Sequence, residues 1–116
     1  MFVTKRVYDG ADDSDGYRIL VDRLWPRGVS KEAARLDEWL KEIAPSTELR
    51  TWFHAQRGDV YDEFVRRYRT ELDASAAVVA HLRDLGSHHS VVTLLYGTRD
   101  TAHNHADILA AYLAET

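Results

Sequence analysis

The sequence predicts a small α/β fold, a mainly parallel sheet flanked by helices in a Rossmann-like layered architecture. Three observations lead there. Tyr17 to Leu24 and Val91 to Tyr96 each carry an unbroken apolar centre, the pattern of strands buried on both faces. The long stretches around them repeat apolar residues at three- and four-residue steps, which is helical spacing, and strands joined by crossovers of that length pair in parallel with right-handed connections. The length of 116 residues, 45% hydrophobic and 29% charged, suits one domain, 1–116, with one core and no room for a second.

In chain order, Phe2, Val3, Val7 and Tyr8 suggest a short first strand, and the Asp/Gly/Ser-rich run from Asp9 to Gly16 reads as a loop. Tyr17 to Leu24 is the expected central strand. Trp25-Pro26-Arg27-Gly28 stops it, because Pro26 cannot donate to a ladder and Gly28 permits a turn. Ser30 is the expected N-cap of a helix whose stripe is Leu36, Trp39, Leu40 and Ile43, limited by Pro45. Ser46 caps the next helix (Leu49, Trp52, Phe53), and Asp59 caps a third carrying Phe64, Tyr68 and Leu72. Ser75 begins a fourth with Val78, Val79, Leu82 and Leu85 inward, which Gly86 is placed to end in the left-handed conformation. After the strand at Val91 to Tyr96, Gly97 turns the chain. Asp100 or Thr101 then caps a last helix built on Ile108, Leu109, Tyr112 and Leu113. The order of strands is not readable, and no internal repeat appears.

Composition removes several classes of function. With no cysteine there is no disulfide scaffold, thiolate metal site or cysteine nucleophile, and a reducing, cytoplasmic setting is expected. The opening MFVTKRVYDG has none of the parts of a signal peptide and reads as a mature start, and no apolar stretch reaches a membrane span. A net charge of -4 disfavours duplex nucleic acid as a partner. Glycine-rich phosphate loops, dinucleotide fingerprints and nucleophile-turn motifs are missing, so no cofactor is assigned. His88-His89 and His103-x-His105 have the wrong spacing for one helix face, so no metal site is assigned either.

Charge is unevenly distributed, and the uneven part points to a site. Ligands of open parallel sheets bind beyond the carboxyl ends of the strands, where arginine forks and helix N-termini can hold anions. Two segments end there, Asp22 to Gly28 with Arg23, Trp25 and Arg27, and Tyr96 to Asp100 leading to Asn104 and His105. The competing structural expectation is that Asp22 pairs with Arg23 or Arg99 and that Trp25 closes the core. His54 and His105 are the proton-transfer candidates, since histidine titrates near neutrality unaided, although His54 at a helix C-terminus also has a structural explanation. Serines 30, 46 and 75 are read as caps rather than nucleophiles.

Lys5-Arg6-Val7-Tyr8-Asp9, the run Asp15-Gly16-Tyr17-Arg18-Ile19-Leu20-Val21-Asp22-Arg23-Leu24-Trp25-Pro26-Arg27-Gly28, and Ala44-Pro45-Ser46 resemble the YeaO-like family of uncharacterised bacterial proteins. Leu49-Arg50 with Phe53-His54, Thr93-Leu94-Leu95-Tyr96 and Asn104-His105-Ala106 extend the resemblance over nearly the whole chain. It implies a small α/β fold, no assigned activity, and polar landmarks at Arg23, Trp25, Arg27, Arg50, His54, Tyr96, Asn104 and His105. The resulting expectation is a small anionic ligand held by Arg23, Trp25, Arg27, Arg50, Tyr96 and Asn104, with His54 or His105 moving a proton if chemistry occurs. The rival is a non-catalytic module whose Arg and Trp residues contact a protein partner or a second copy.

Overall fold

The two continuous apolar runs form the two central strands, as burial on both faces requires. The computed structural model of the chain describes residues 1–115, and its sheet is all parallel in the order β1-β4-β2-β3. The strands are β1 (Phe2–Arg6), β2 (Tyr17–Leu20), β3 (Glu38–Trp39) and β4 (Val92–Tyr96). The helices are α1 (Lys31–Ala34), α2 (Thr47–Ala55), α3 (Tyr61–Asp73), α4 (Ala76–His88) and α5 (His105–Ala114). In register, Ile19 lies beside Leu94 and Leu20 beside Leu95, while Arg6 pairs with Tyr96 at the far edge.

Alternation along the strands divides the apolar residues between two faces. Ile19 and Val21 of the β2 segment, with Val92, Leu94 and Tyr96 of β4, face the main core, packed by Leu49, Phe64, Tyr68, Leu82 and Leu109 of α2 to α5. Leu20 and Leu95 face the other way, onto Val7, Trp25, Val29 and Leu36. The layering is therefore asymmetric, with the long helices on one face and short turns and α1 on the other.

That second face also buries charge. Arg18 and Asp15 are buried and paired, Lys5 Nζ reaches Asp15 Oδ1 at 3.1 Å, and the Arg18 guanidinium donates to the Ala34 carbonyl at 2.8 Å. Buried ion pairs persist only when nearly every donor is met, and this one is. Burial opposes ionisation of Asp15, but hydrogen bonds from the Asp12 amide, Lys5 and Arg18 outweigh it and hold the carboxyl below its usual range.

Several local expectations change. The helix expected from Ser30 through Ile43 ends after one turn, because Arg35 takes a left-handed conformation (φ 46°). Leu36, Trp39, Leu40 and Ile43 then lie in edge strand β3, in its flanks and in a 3₁₀ turn at Lys41–Ile43. The first strand stops at Arg6, and Val7 and Tyr8 enter a 3₁₀ turn. The central strand is shorter than Tyr17 to Leu24, although Val21 N still donates to Leu95 O. Gly86 lies inside α4, where an added Cβ would sit 2.7 Å from Phe2 Cζ, so close approach rather than a turn is its role. Ser30 and Ser46 cap through their hydroxyls, whereas the Ser75 hydroxyl donates to Glu71 O. The N-cap positions of α3 and α5 are Val60 and Asn104, not Asp59 and Asp100 or Thr101. Asp59 and Asp100 still accept from backbone amides just ahead of those helices or at their first residue.

Candidate functional site

Neighbouring strands β2 and β4 send the chain in opposite directions. After β2 it runs out to edge strand β3, and after β4 it enters α5, which packs over β1 and β4 and is tied to β1 by Thr4 Oγ1 donating to Asp107 at 2.6 Å. Divergent exits from adjacent parallel strands leave a crevice at their carboxyl ends. A cavity of about 290 Å³ occupies it.

Its floor is fastened by Asp22, the second residue after β2. Oδ2 accepts from Gly97 N at 2.9 Å, joining the exits of the two central strands. Oδ1 lies 3.1 Å from His105 Nε2, at the first turn of α5. Nε2 itself is 3.0 Å from the Val21 carbonyl, which can only accept, so Nε2 carries a proton. Since that proton is aligned on Val21, Oδ1 is a buried side-chain oxygen without an aligned hydrogen bond. Asp22 thus pairs with His105, and not with Arg23 or Arg99.

Cations collect above this floor. Arg23 lines the cavity, donating from Nη2 to Ala44 O at 3.1 Å and from Nε to Pro45 O at 3.3 Å. Carbonyl partners orient a guanidinium without neutralising it. Arg50 and His54 also line the cavity, one helical turn apart on α2, and both are exposed. Among the described residues neither Arg23 nor Arg50 joins an ion pair. Two guanidinium groups without a carboxylate partner therefore share the cavity lining with one carboxylate, Asp22, that is already engaged.

Aromatic rings complete the wall. Phe53 and Phe64 meet at 4.5 Å between centroids, Tyr61 stacks on Phe64 at 6.4 Å, and His103 lies 4.4 Å from Tyr61. All four line the cavity. Burial, then the nearby carboxylates Asp107, Asp100 and Asp62, push the Tyr61 hydroxyl above its ordinary range, so it stays a neutral donor.

Of the residues singled out from sequence, Arg23, Arg50, His54, Asn104 and His105 come together here. The Asn104 amide is committed to the fold: Oδ1 accepts from Asp107 N at 2.9 Å, and Nδ2 donates to Asp100 O and Asp107 Oδ2. Trp25, Arg27 and Tyr96 lie outside the lining. Trp25 donates to Val29 O at 2.7 Å and meets Trp39 edge-on, closing the smaller core. The Arg27 side chain is exposed, and Tyr96 is buried in the main core. The reading from sequence missed Asp22 as the partner of His105, and Tyr61 and His103 as wall residues. Asp22 sits inside the arginine-rich run that drew attention, but nothing in the spacing of Tyr61 and His103 brings them together.

Fold and site together define a small α/β protein with a cation-lined cleft at the carboxyl edge of a parallel sheet. The chain belongs to the family described as the inactive DUF488-N3 subclade, whose model matches residues 1–116. It is 51% identical over 109 residues to the uncharacterised protein YeaO of Escherichia coli (strain K12), covering 94% of this chain and 93% of that one. Mycobacterial relatives are similar: Mb3100c of Mycobacterium bovis and Rv3073c of Mycobacterium tuberculosis, both uncharacterised, are each 49% identical over 108 residues, covering 93% of this chain and 89% of theirs. The resemblance to the YeaO-like family is thereby established. No solved structure matches the chain.

Proposed function

We propose that the protein binds a small phosphate- or carboxylate-bearing ligand in the cleft between the exits of β2 and β4. The observation that carries this reading is the pair of guanidinium groups, Arg23 and Arg50, lining one cavity without a carboxylate partner. Arginine offers a planar, permanently charged fork, and an unneutralised pair in a concave site favours an anion. The description of the family as inactive favours binding without turnover. On this reading His105 is a positioning residue, its Nε2 held by Val21 and Asp22, while the exposed His54 adds to the rim. A cytoplasmic protein fits the cysteine-free sequence, and among the described residues no helix is long and apolar enough to cross a membrane.

Ligand-dependent thermal unfolding tests the proposal, because a ligand that binds only the native state adds about 2.7 kcal/mol at a hundredfold excess over Kd. A panel of phosphorylated metabolites, nucleotides and carboxylates is expected to contain one class that raises Tm. Arg50→Ala should weaken that class roughly 10- to 100-fold, the worth of a charge-assisted hydrogen bond, with the unliganded Tm unchanged. Arg27→Ala should leave binding intact. No shift across the panel would discard the proposal and turn attention to the exposed Leu24 and Trp39 at 67% and 36% exposure, apolar residues suited to a protein contact.

A further inference from the structure

The cleft joins two features that a simple anion would not need together. Resting on the anion reading above, we infer that the ligand is an aromatic anion, a planar ring carrying one phosphate or carboxylate, with the ring laid against Tyr61 and His103 and the charge at Arg50 and Arg23. The ring series Phe53, Phe64, Tyr61, His103 is continuous, with successive centroids 4.5, 6.4 and 4.4 Å apart. It begins in the core, where Phe64 is 6% exposed, and ends in solvent, where the His103 side chain is 58% exposed. With interplanar angles of 40°, 25° and 38° the rings form a contiguous aromatic wall, and against its exposed outer ring, His103, offset or tilted aromatic contact favours a flat ligand over a puckered one of equal area.

Position and size agree with this. His103 is outside the packing that holds α5: it is its backbone amide, not its ring, that donates to Asp100 Oδ1, at 2.8 Å. The ring is 3.9 Å from the Asp100 carboxylate, too far for a hydrogen bond, so it is fixed mainly by Tyr61. About 290 Å³ lies at the small end of ligand cavities, enough for one ring and one charged head rather than an extended cofactor.

The test compares phenyl phosphate, cyclohexyl phosphate and inorganic phosphate by calorimetric titration against the full chain. Phenyl phosphate is expected to bind about 3- to 10-fold more tightly than cyclohexyl phosphate, the usual margin of an aromatic pair beyond its buried area. His103→Ala, an exposed change that should leave Tm in place, is expected to remove that margin while phosphate binding persists. Tyr61→Leu, which keeps an apolar contact on Phe64, should reduce it as well. Equal affinity for the phenyl and cyclohexyl compounds, with binding still lost in Arg50→Ala, would overturn the aromatic inference and leave the anion reading standing. If none of the three compounds binds the folded protein, and benzoate and acetate titrated alongside them do not bind either, both fall.

Discussion

Asp22 holds together groups that lie far apart in the chain: its carboxylate receives the Gly97 amide 75 residues on and stands beside His105. Replacing one oxygen by an amide would set an NH₂ group against either the Gly97 N–H or the His105 Nε2–H, two donors facing each other. Asp22→Asn is therefore expected to lower stability by about 1–3 kcal/mol, the cost of leaving a half-buried donor unmet, measured as a drop in the denaturant midpoint without a change in slope. An unchanged midpoint would mean that the Asp22 contacts contribute nothing to joining the two exits. The same residue marks how much of the site was legible. Arg23, Arg50, His54 and His105 stood out because their chemistry is visible in the residue type. The partner of Asp22 did not, because an acidic residue beside Arg23 suggests a local pair, and only the parallel pairing of β2 with β4 brings Gly97 and His105 within reach.

Among the elements, α4 shows two principles in opposition. Gly86 occupies its interior at a helical position, where alanine is ordinarily better by about 1 kcal/mol. The added Cβ would lie 2.7 and 2.8 Å from two carbons of the half-buried Phe2 ring, and overpacking of that kind costs typically 1–3 kcal/mol. Overpacking should win, so Gly86→Ala is expected to lower Tm by a few degrees, and Phe2→Leu in the same chain should recover most of the loss. A Tm raised by the single change would show that the ring moves aside freely. Propensity read Gly86 as a terminator because the contact with Phe2 on β1 is invisible along the chain. The segment after Ser30 failed for a related reason. Leu36, Trp39, Leu40 and Ile43 have helical spacing, yet residues 37 to 40 take their hydrogen bonds from β2, with Asp37 N donating to Arg18 O and Leu40 N to Leu20 O. An edge position beside an already formed strand outweighed the local period, whereas β2, β4, α2 and α5 agreed with it and were readable.

For the whole molecule, the titrating groups on the sheet predict how stability depends on pH. Asp15 is held below its usual range inside the Lys5 and Arg18 network, so the folded state binds its proton less readily than the unfolded chain does. Its contribution is present above the ordinary carboxylate value near 4 and is lost as pH falls through the lowered folded value. At the other limit, burial and then the hydrogen bond to Glu38 push the Tyr17 hydroxyl from 10.0 up to about 12. Here the folded state keeps a proton that the unfolded chain releases, so stability is present below pH 10 and is lost between about 10 and 12. Tyr68, fully buried and donating to Ile43 O at 2.7 Å, is raised further and adds to the same alkaline loss. The stability curve should be flat between roughly pH 5 and 9 in these terms and fall on either side. Tyr17→Phe removes the 2.8 Å bond to Glu38, so it should be less stable at neutral pH yet decline less steeply above pH 10, and the two curves should converge. Denaturant midpoints measured from pH 3 to 11 for both proteins check this. Parallel alkaline limbs would assign the loss to Tyr68 and the core of the helical face rather than to the β2–β3 edge.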